Sequence, residues 1–430
     1  MSSHVSPVQS VLGRLRQLFS GLTGNARVIV VTEGISGIAF AWYGFYLPLY
    51  MVALGVSELQ VGLLASVMMA SRMLATFLGG YFADRFGRKR VLVITDIICW
   101  GIPLALYAIA DNPWYFVIGR FVNGLVYLVL PSFDCLFVED VPLEKRQFVF
   151  GAMRFLMASD AFFVPIAGLI VARWGMVAGG RAIMAIAALV AVIISLSRGL
   201  LLRETSMGRQ RMAETAKMPL NEILAQYCAS IGALFRSRSA LHCLAVRYAA
   251  VCGAAAISTY ATIYMADGRG LGLSESLISV LPFVSAVVTV VLLTAAVHRL
   301  HPEHEQGNLW LGMAISASGT IALLIAPHGG LVAPVVWAVC SALATGLFQP
   351  AIQSRWANVV PDADRAQAYS LGTALESLLV LPFAPLAGWL YTSSPRWAFA
   401  LGLALQLGCL ALIVLGRREA RDRPIPDVAP

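Results

Sequence analysis

The sequence predicts an all-α integral membrane protein of 12 transmembrane helices arranged as two six-helix bundles. Composition is the first reason: of 430 residues, 59% are hydrophobic and only 13% charged, and mean hydropathy is +0.76, where a soluble domain carries about 25% charged residues. The second is that twelve windows hold the ~20 mostly apolar residues that a span needs. The third is an internal repeat. Phe163-Val-Pro165-Ile-Ala-Gly168 recurs as Phe383-Ala-Pro385-Leu-Ala-Gly388, and the loops ahead of them share Val141-Pro142-x-x-x-Arg146-x-Gln and Val360-Pro361-x-x-x-Arg365-x-Gln. An offset of about 220 residues kept over two segments is what parallel six-span repeats give.

Residues 1–27 form a cytoplasmic N-terminal segment. Val8, Val11, Leu12, Leu15, Leu18, Phe19 and Leu22 recur there at helical spacing with Arg14 and Arg16 between them, the pattern of an interfacial amphipathic helix, with a disordered tail as the alternative. The first apolar run is too long for a cleavable signal and lacks a small-residue cleavage site, so it is expected to act as the insertion signal. The N-terminal bundle, 28–201, holds windows near 28–53, 59–83, 91–110, 115–138, 148–172 and 182–201. Between 202 and 240 hydropathy falls and Arg203, Glu204, Arg209, Arg211, Glu214, Lys217, Arg236 and Arg238 cluster, which marks a cytoplasmic linker; its Met218–Leu234 stretch has helical apolar spacing. The C-terminal bundle, 241–416, holds windows near 242–265, 275–297, 309–327, 331–355, 367–391 and 396–416, followed by a cytoplasmic tail, 417–430.

Orientation follows from the cations. With both termini cytoplasmic, Arg173, Arg181, Arg269 and Arg396 lie outside, Arg72, Arg120, Arg154 and Arg247 lie within spans, and the remaining 23 of 31 Lys and Arg lie inside. That positive-inside bias accounts for the net charge of +8, so no nucleic-acid partner is needed to explain it. The seven cysteines have no paired spacing and read as small apolar fillers.

The most specific stretch is Gly80-Tyr-Phe-Ala-Asp84-Arg85-Phe-Gly87-Arg88-Lys89-Arg90, a dense basic turn between two apolar runs. Gly-x-x-x-Asp-Arg-x-Gly-Arg-Lys resembles the signature between the second and third spans of the major facilitator superfamily of secondary transporters, with every defining position filled. The resemblance covers essentially the whole chain. It implies two bundles rocking about a central cavity, and a cytoplasmic gate of Gly80, Asp84, Arg85, Gly87 and Arg88. In that gate Asp84 faces the eleventh span, and Arg85 and Arg88 reach Asp134, Glu139 or Asp140. Arg120-Phe-Val-Asn123-Gly124 is similar to the family's Arg-x-x-x-Gly pattern, whose arginine is linked to proton coupling. Val164-Pro165-Ile-Ala-Gly168 resembles a degraded form of the antiporter glycine-proline motif. The signature has no counterpart between spans eight and nine.

Ionisable residues inside spans cost about 2.5–3.5 kcal/mol each on insertion scales, so each is a functional candidate by default. Arg72, Asp160 and Glu376 fall near one midplane depth, and Glu33 about one and a half turns into the first span. One reading has Asp160 or Glu376 carry a proton while Arg72 attracts an anionic group of the substrate; the other has Arg72 paired permanently with an acid. Glu33, Asp96 and Arg247 lie nearer the cytoplasmic surface, where a structural ion pair or gate is as good a reading. Tyr46 leads the aromatic residues suited to stack on a substrate. His298, His301 and His304 offer a metal site only across the break at Pro302, so an ordinary polar loop is the default, and no metal or other cofactor is expected. Without a phosphate-binding Gly-rich loop, direct ATP drive is not expected. The expected function is proton-coupled export of a small solute across the inner membrane by a monomer. Uptake of an anionic metabolite, transport of a metal ion or chelate, and a non-transporting receptor or assembly subunit are the alternatives.

Overall fold

The computed structural model describes residues 22–139, 141–215, 238–295, 304–359 and 365–421, all in helices, turns and short connections without a strand. Helix is the form these segments must take, because hydrocarbon offers no partner for an open backbone N–H or C=O. Eleven helical segments are long and apolar enough to cross a membrane. One of them, Val149–Leu201, runs 53 residues, about 80 Å at 1.5 Å per residue, more than twice a bilayer core. It folds back at Gly175 (φ 75°), so that a Cβ on Gly179 would lie 2.9 Å from the Val171 Cα. The segment is therefore spans five and six, and the described chain makes twelve passes.

Local signals set the boundaries. Ser57 and Gln60 form a reciprocal capping box at the start of the second span, worth about 1 kcal/mol. Asn112 accepts from the Trp114 N–H, with Pro113 opening the fourth. Gly87, at φ 88°, separates Glu58–Phe86 from Arg88–Asp96. That conformation favours glycine, and a side chain would also meet Met212 Sδ at 2.8 Å and Glu204 Oε2 at 2.9 Å.

The end bearing Arg85, Arg88, Lys89 and Arg90 is the basic end; Trp114, Trp174, Trp389 and Trp397 are exposed around the opposite, far end, like an interfacial aromatic belt. The largest apolar core crosses between the halves at the far end and includes Tyr46, Tyr50, Tyr260, Tyr264 and Tyr391. Smaller cores fill each half nearer the basic end, one around Leu92, Leu136 and Phe137, the other around Leu244, Phe348 and Trp356.

Three spans depart from α-helix near mid-depth: a π-helical turn at Ile97–Gly101, and 3₁₀ turns at Leu125–Leu128 and Asp160–Phe163. Such turns free backbone groups and let a packed helix bend. The N-terminal segment to 21 and the Met218–Leu234 stretch lie outside the described residues.

Candidate functional site

A cavity of ≈ 430 Å³ opens between the halves at mid-depth, lined by the second span on one side and the seventh, tenth and eleventh on the other. Arg72 is on its wall, 14 residues from either end of Glu58–Phe86. Across the cavity, Arg247 and Glu376 form an ion pair, with the Arg247 guanidinium 6.0 Å from the Trp356 ring. Arg247 is thus deeper than its count from the linker suggested, and it is the partner that the sequence did not assign to Glu376. Arg72 makes no ion pair with a described residue; its guanidinium sits 4.2 Å over the Tyr127 ring, and its buried Nε has no partner. The three charges leave the cavity with one surplus positive charge. A smaller space of ≈ 210 Å³ shares Val251, Ala254, Phe348 and Gln349 with it and reaches Ser316 and Gln406.

The first half holds a different arrangement. Arg198 of the sixth span donates to Glu33 Oε1 at 2.5 Å, to Asp96 Oδ2 at 2.8 Å and to Thr32 Oγ1 at 3.0 Å, and its guanidinium stacks 6.0 Å from Phe133. Two carboxylates therefore share one buried cation. The charge count had placed Arg198 among the cytoplasmic cations; its position inside the window 182–201 was the signal available in the sequence. Asp160 makes no ion pair with a described residue and packs on the first span, where a Cβ on Gly37 would fall 2.0 Å from its Oδ2.

Arg120 turns toward the second span, its Nη1 3.3 Å from Met68 Sδ and its Nε buried without a partner. The neighbouring Gly124 is required by close packing, since a Cβ would meet Ser71 Oγ at 1.8 Å and the Met68 carbonyl at 2.5 Å.

Tyr46 does not line the cavity. It is fully buried in the far-end seam, its hydroxyl donating to the Glu275 carbonyl at 3.3 Å. Tyr260 occupies the equivalent place in the other half: its hydroxyl lies 3.0 Å from the carbonyls of Glu58 and Ala384. Each tyrosine packs on a glycine of the internal repeat. A Cβ on Gly168 would approach the Tyr46 hydroxyl to 3.2 Å, and one on Gly388 the Tyr260 hydroxyl to 2.4 Å. Arg269 bridges the halves over this seam, pairing with Glu58 and, at 3.0 Å, with Asp267, which also accepts from the Tyr391 hydroxyl at 3.1 Å. Burial pushes the Asp267 carboxyl up, but the Arg269 backbone N–H, its guanidinium and Tyr391 outweigh it and hold the group below the usual carboxylate range.

At the basic end Arg88 pairs with Glu139, lies 3.9 Å from Asp84 and donates to Thr205 Oγ1. Arg85 lies against the Tyr81 ring at 5.5 Å. Beyond Arg88, Asp84 contacts the linker helix Ser206–Thr215, Thr215 Oγ1 donating to its carbonyl, and among the described residues no ion pair joins it to the eleventh span. The close helix approach falls at Gly79, where a Cβ would lie 3.1 Å from the Leu128 carbonyl; Gly80 is the next residue of the same helix. The linker clasps this turn: Glu204 Oε2 accepts from the Lys89 N–H at 3.0 Å, and Asn25 makes two hydrogen bonds to the Arg203 backbone. No cluster of three metal-ligating side chains occurs among the described residues, outside which His298 and His301 lie.

The Major Facilitator Superfamily model matches residues 29–338. Among solved structures the chain is similar to nucleoside transporter NupG (TM-score 0.69, 14% identity, 91% of this chain and 99% of that one). It is also similar to peptide transporter POT in complex with sulfate (0.69, 16%, 94% and 98%) and to the xylose transporter XylE from E. coli in a partially occluded inward open conformation (0.64, 15%, 90% and 97%). Among curated proteins it is 31% identical over 139 residues to multidrug resistance protein MdtG of Escherichia fergusonii, and the match spans about a third of each, 31% of this chain and 34% of the relative. The chain belongs to the major facilitator superfamily of membrane transporters.

Proposed function

We propose that this superfamily member is a proton-coupled secondary transporter for a small organic solute bearing an anionic group, and that it works outward, as an exporter. It works as a monomer in the bacterial inner membrane, both termini cytoplasmic, its two bundles rocking about the central cavity. The observation that carries this reading is Arg72, a cation without an acid partner among the described residues, on the wall of a mid-depth cavity whose other charges are the paired Arg247 and Glu376. Burying such a charge is costly, and an anionic ligand group is the partner that relieves it. The cavity volume, ≈ 430 Å³, falls in the range of about 300–1,000 Å³ typical of small-molecule sites. Similarity to a multidrug resistance protein over 139 residues supports export. Proton drive enters through the intramembrane acids Glu33, Asp160 and Glu376, and the basic turn from Gly80 to Arg88 gates the cytoplasmic side.

The test is flux through purified protein in liposomes under an imposed proton gradient, with pools of organic acids, organic cations and neutral solutes. Organic acids should move, and Arg72→Gln should raise the half-saturating concentration at least tenfold. Movement of cations or neutral compounds alone, unaffected by Arg72→Gln, would overturn the anionic assignment. Asp160→Asn or Glu376→Gln should abolish gradient-driven flux in folded protein, and unchanged flux in both would remove these two acids from the coupling.

A further inference from the structure

We infer that the Glu33–Arg198–Asp96 triad is the site that binds the coupling proton, one proton shared by two carboxylates, set apart from the substrate cavity inside the first half. The inference deepens the transporter reading above and rests on it for the word coupling, but the proton site itself stands on geometry.

Glu33, Asp96 and Arg198 come from the first, third and sixth spans, with side chains 22%, 7% and 5% exposed. Arg198 engages one oxygen of each carboxylate through its two Nη atoms and gives its Nε–H to Thr32. No other described cation lies within ion-pair distance of either acid. Facing the triad are Asp160 of the fifth span, which adds negative charge, Cys99 one turn beyond Asp96, and the Phe133 ring of the fourth span. Asp134 and Arg154 make no ion pair with it. Fully ionised, the group is two acids against one base in a membrane interior, with a third acid near. Like charges so placed do not both stay ionised, and a single bound proton restores balance. The other half supplies the contrast: Arg247 pairs with Glu376, one base against one acid, and carries no excess negative charge.

The same geometry gives the proton a route to the interface between halves. Glu33 is the more exposed acid, and Gly37, one turn further along the same helix, carries Asp160 against its backbone. Asp160 opens the 3₁₀ turn Asp160–Phe163, whose Phe162 ring meets Phe283 of the other half edge-on at 5.5 Å. The π-helical turn Ile97–Gly101 follows Asp96 directly. Both acids thus adjoin backbone able to shift when their charge changes.

The experiment uses full-length protein in liposomes without cargo. Infrared spectra should show the carbonyl stretch of a protonated carboxylic acid at neutral pH, lost on alkalinisation with release of one proton per chain. Glu33→Gln and Asp96→Asn should each lose both signals. Each leaves a one-to-one pair like that of the other half, so both should fold, checked by an unchanged unfolding temperature. Arg198→Lys, which keeps the charge, should retain the proton. Persistence of band and proton release in both acid variants would overturn the site. The flux assay separates the two readings. If the triad titrates as described but wild-type flux ignores the proton gradient, the site stands and the coupling fails. If wild-type flux follows the gradient and both variants keep flux, band and proton release, the triad is overturned and the transporter reading stands.

Discussion

The two halves share a backbone plan and a seam but not their charges. At the far end Tyr46 of the first span reaches the backbone of Glu275 at the head of the eighth, and Tyr260 of the seventh reaches Glu58 at the head of the second, each packed on a glycine of the repeated Phe-x-Pro-x-Ala-Gly segment. At greater depth the likeness ends. The first half gathers two acids on Arg198 and, among the described residues, leaves Arg72 and Arg120 without acid partners, whereas the second matches Arg247 with Glu376. Repetition preserved what closes the molecule, and divergence fell on charges, where a one-residue change alters what a buried site binds.

The contrast breaks most readily at the arginines. Arg198→Leu takes the cation from two buried carboxyl groups that share one proton and should lower stability by about 3–5 kcal/mol, read as thermal unfolding in detergent. Arg247→Leu strands a single acid bordering a cavity and should cost clearly less, and equal losses would mean that the halves do not differ as described. Gly388→Ala comes next. Its Cβ would meet the Tyr260 hydroxyl at 2.4 Å and the Glu58 carbonyl at 2.9 Å, so overpacking should weaken far-end closure by about 1–3 kcal/mol, measured as the distance distribution between spin labels flanking the seam.

The tyrosines sharpen the symmetry. Tyr260→Phe should shift those distances by about 1 kcal/mol toward the open form, as loss of one buried hydrogen bond does. Tyr46→Phe, with the longer bond, should shift them less in the same direction. The smallest effect is that of pH on the Arg269 bridge. Asp267 has its carboxyl held low, so its contribution is complete above the ordinary value of about 3.9 and fades only as pH falls through the lower folded value. Far-end cross-linking of a cysteine pair should therefore be flat between about pH 5 and 8. Asp267→Asn should change it by less than about 1 kcal/mol, because half-exposed Arg269 is screened by water.

Much of this was legible in one dimension. Apolar windows located the spans, the basic stretch from Gly80 to Arg90 the turn after the second, and the repeated segments the division into two halves. Arg88 reaching Glu139 falls within the contacts that the signature implied. Less legible was where each deep side chain points. Tyr46, suited by type to stack on a substrate, faces the seam, Arg247 pairs at mid-depth, and Arg198 hides in a window that looked like an inner edge. For spans five and six, length and apolarity alone merge two passes into one, and Gly175 separates them.

By itself the sequence determined the membrane class, the order and approximate ends of the spans and the turn glycines, because these depend on run length and local conformational preference. Only the tertiary structure decided which charge meets which. In water an apolar stripe marks the inner face of a helix; here lipid and protein interior are both apolar, so hydrophobic period no longer reveals rotation about the helix axis. That rotation, fixed by close contacts such as Gly124 on Ser71 and Gly37 on Asp160, set two acids on Arg198 and left Arg72 facing the cavity.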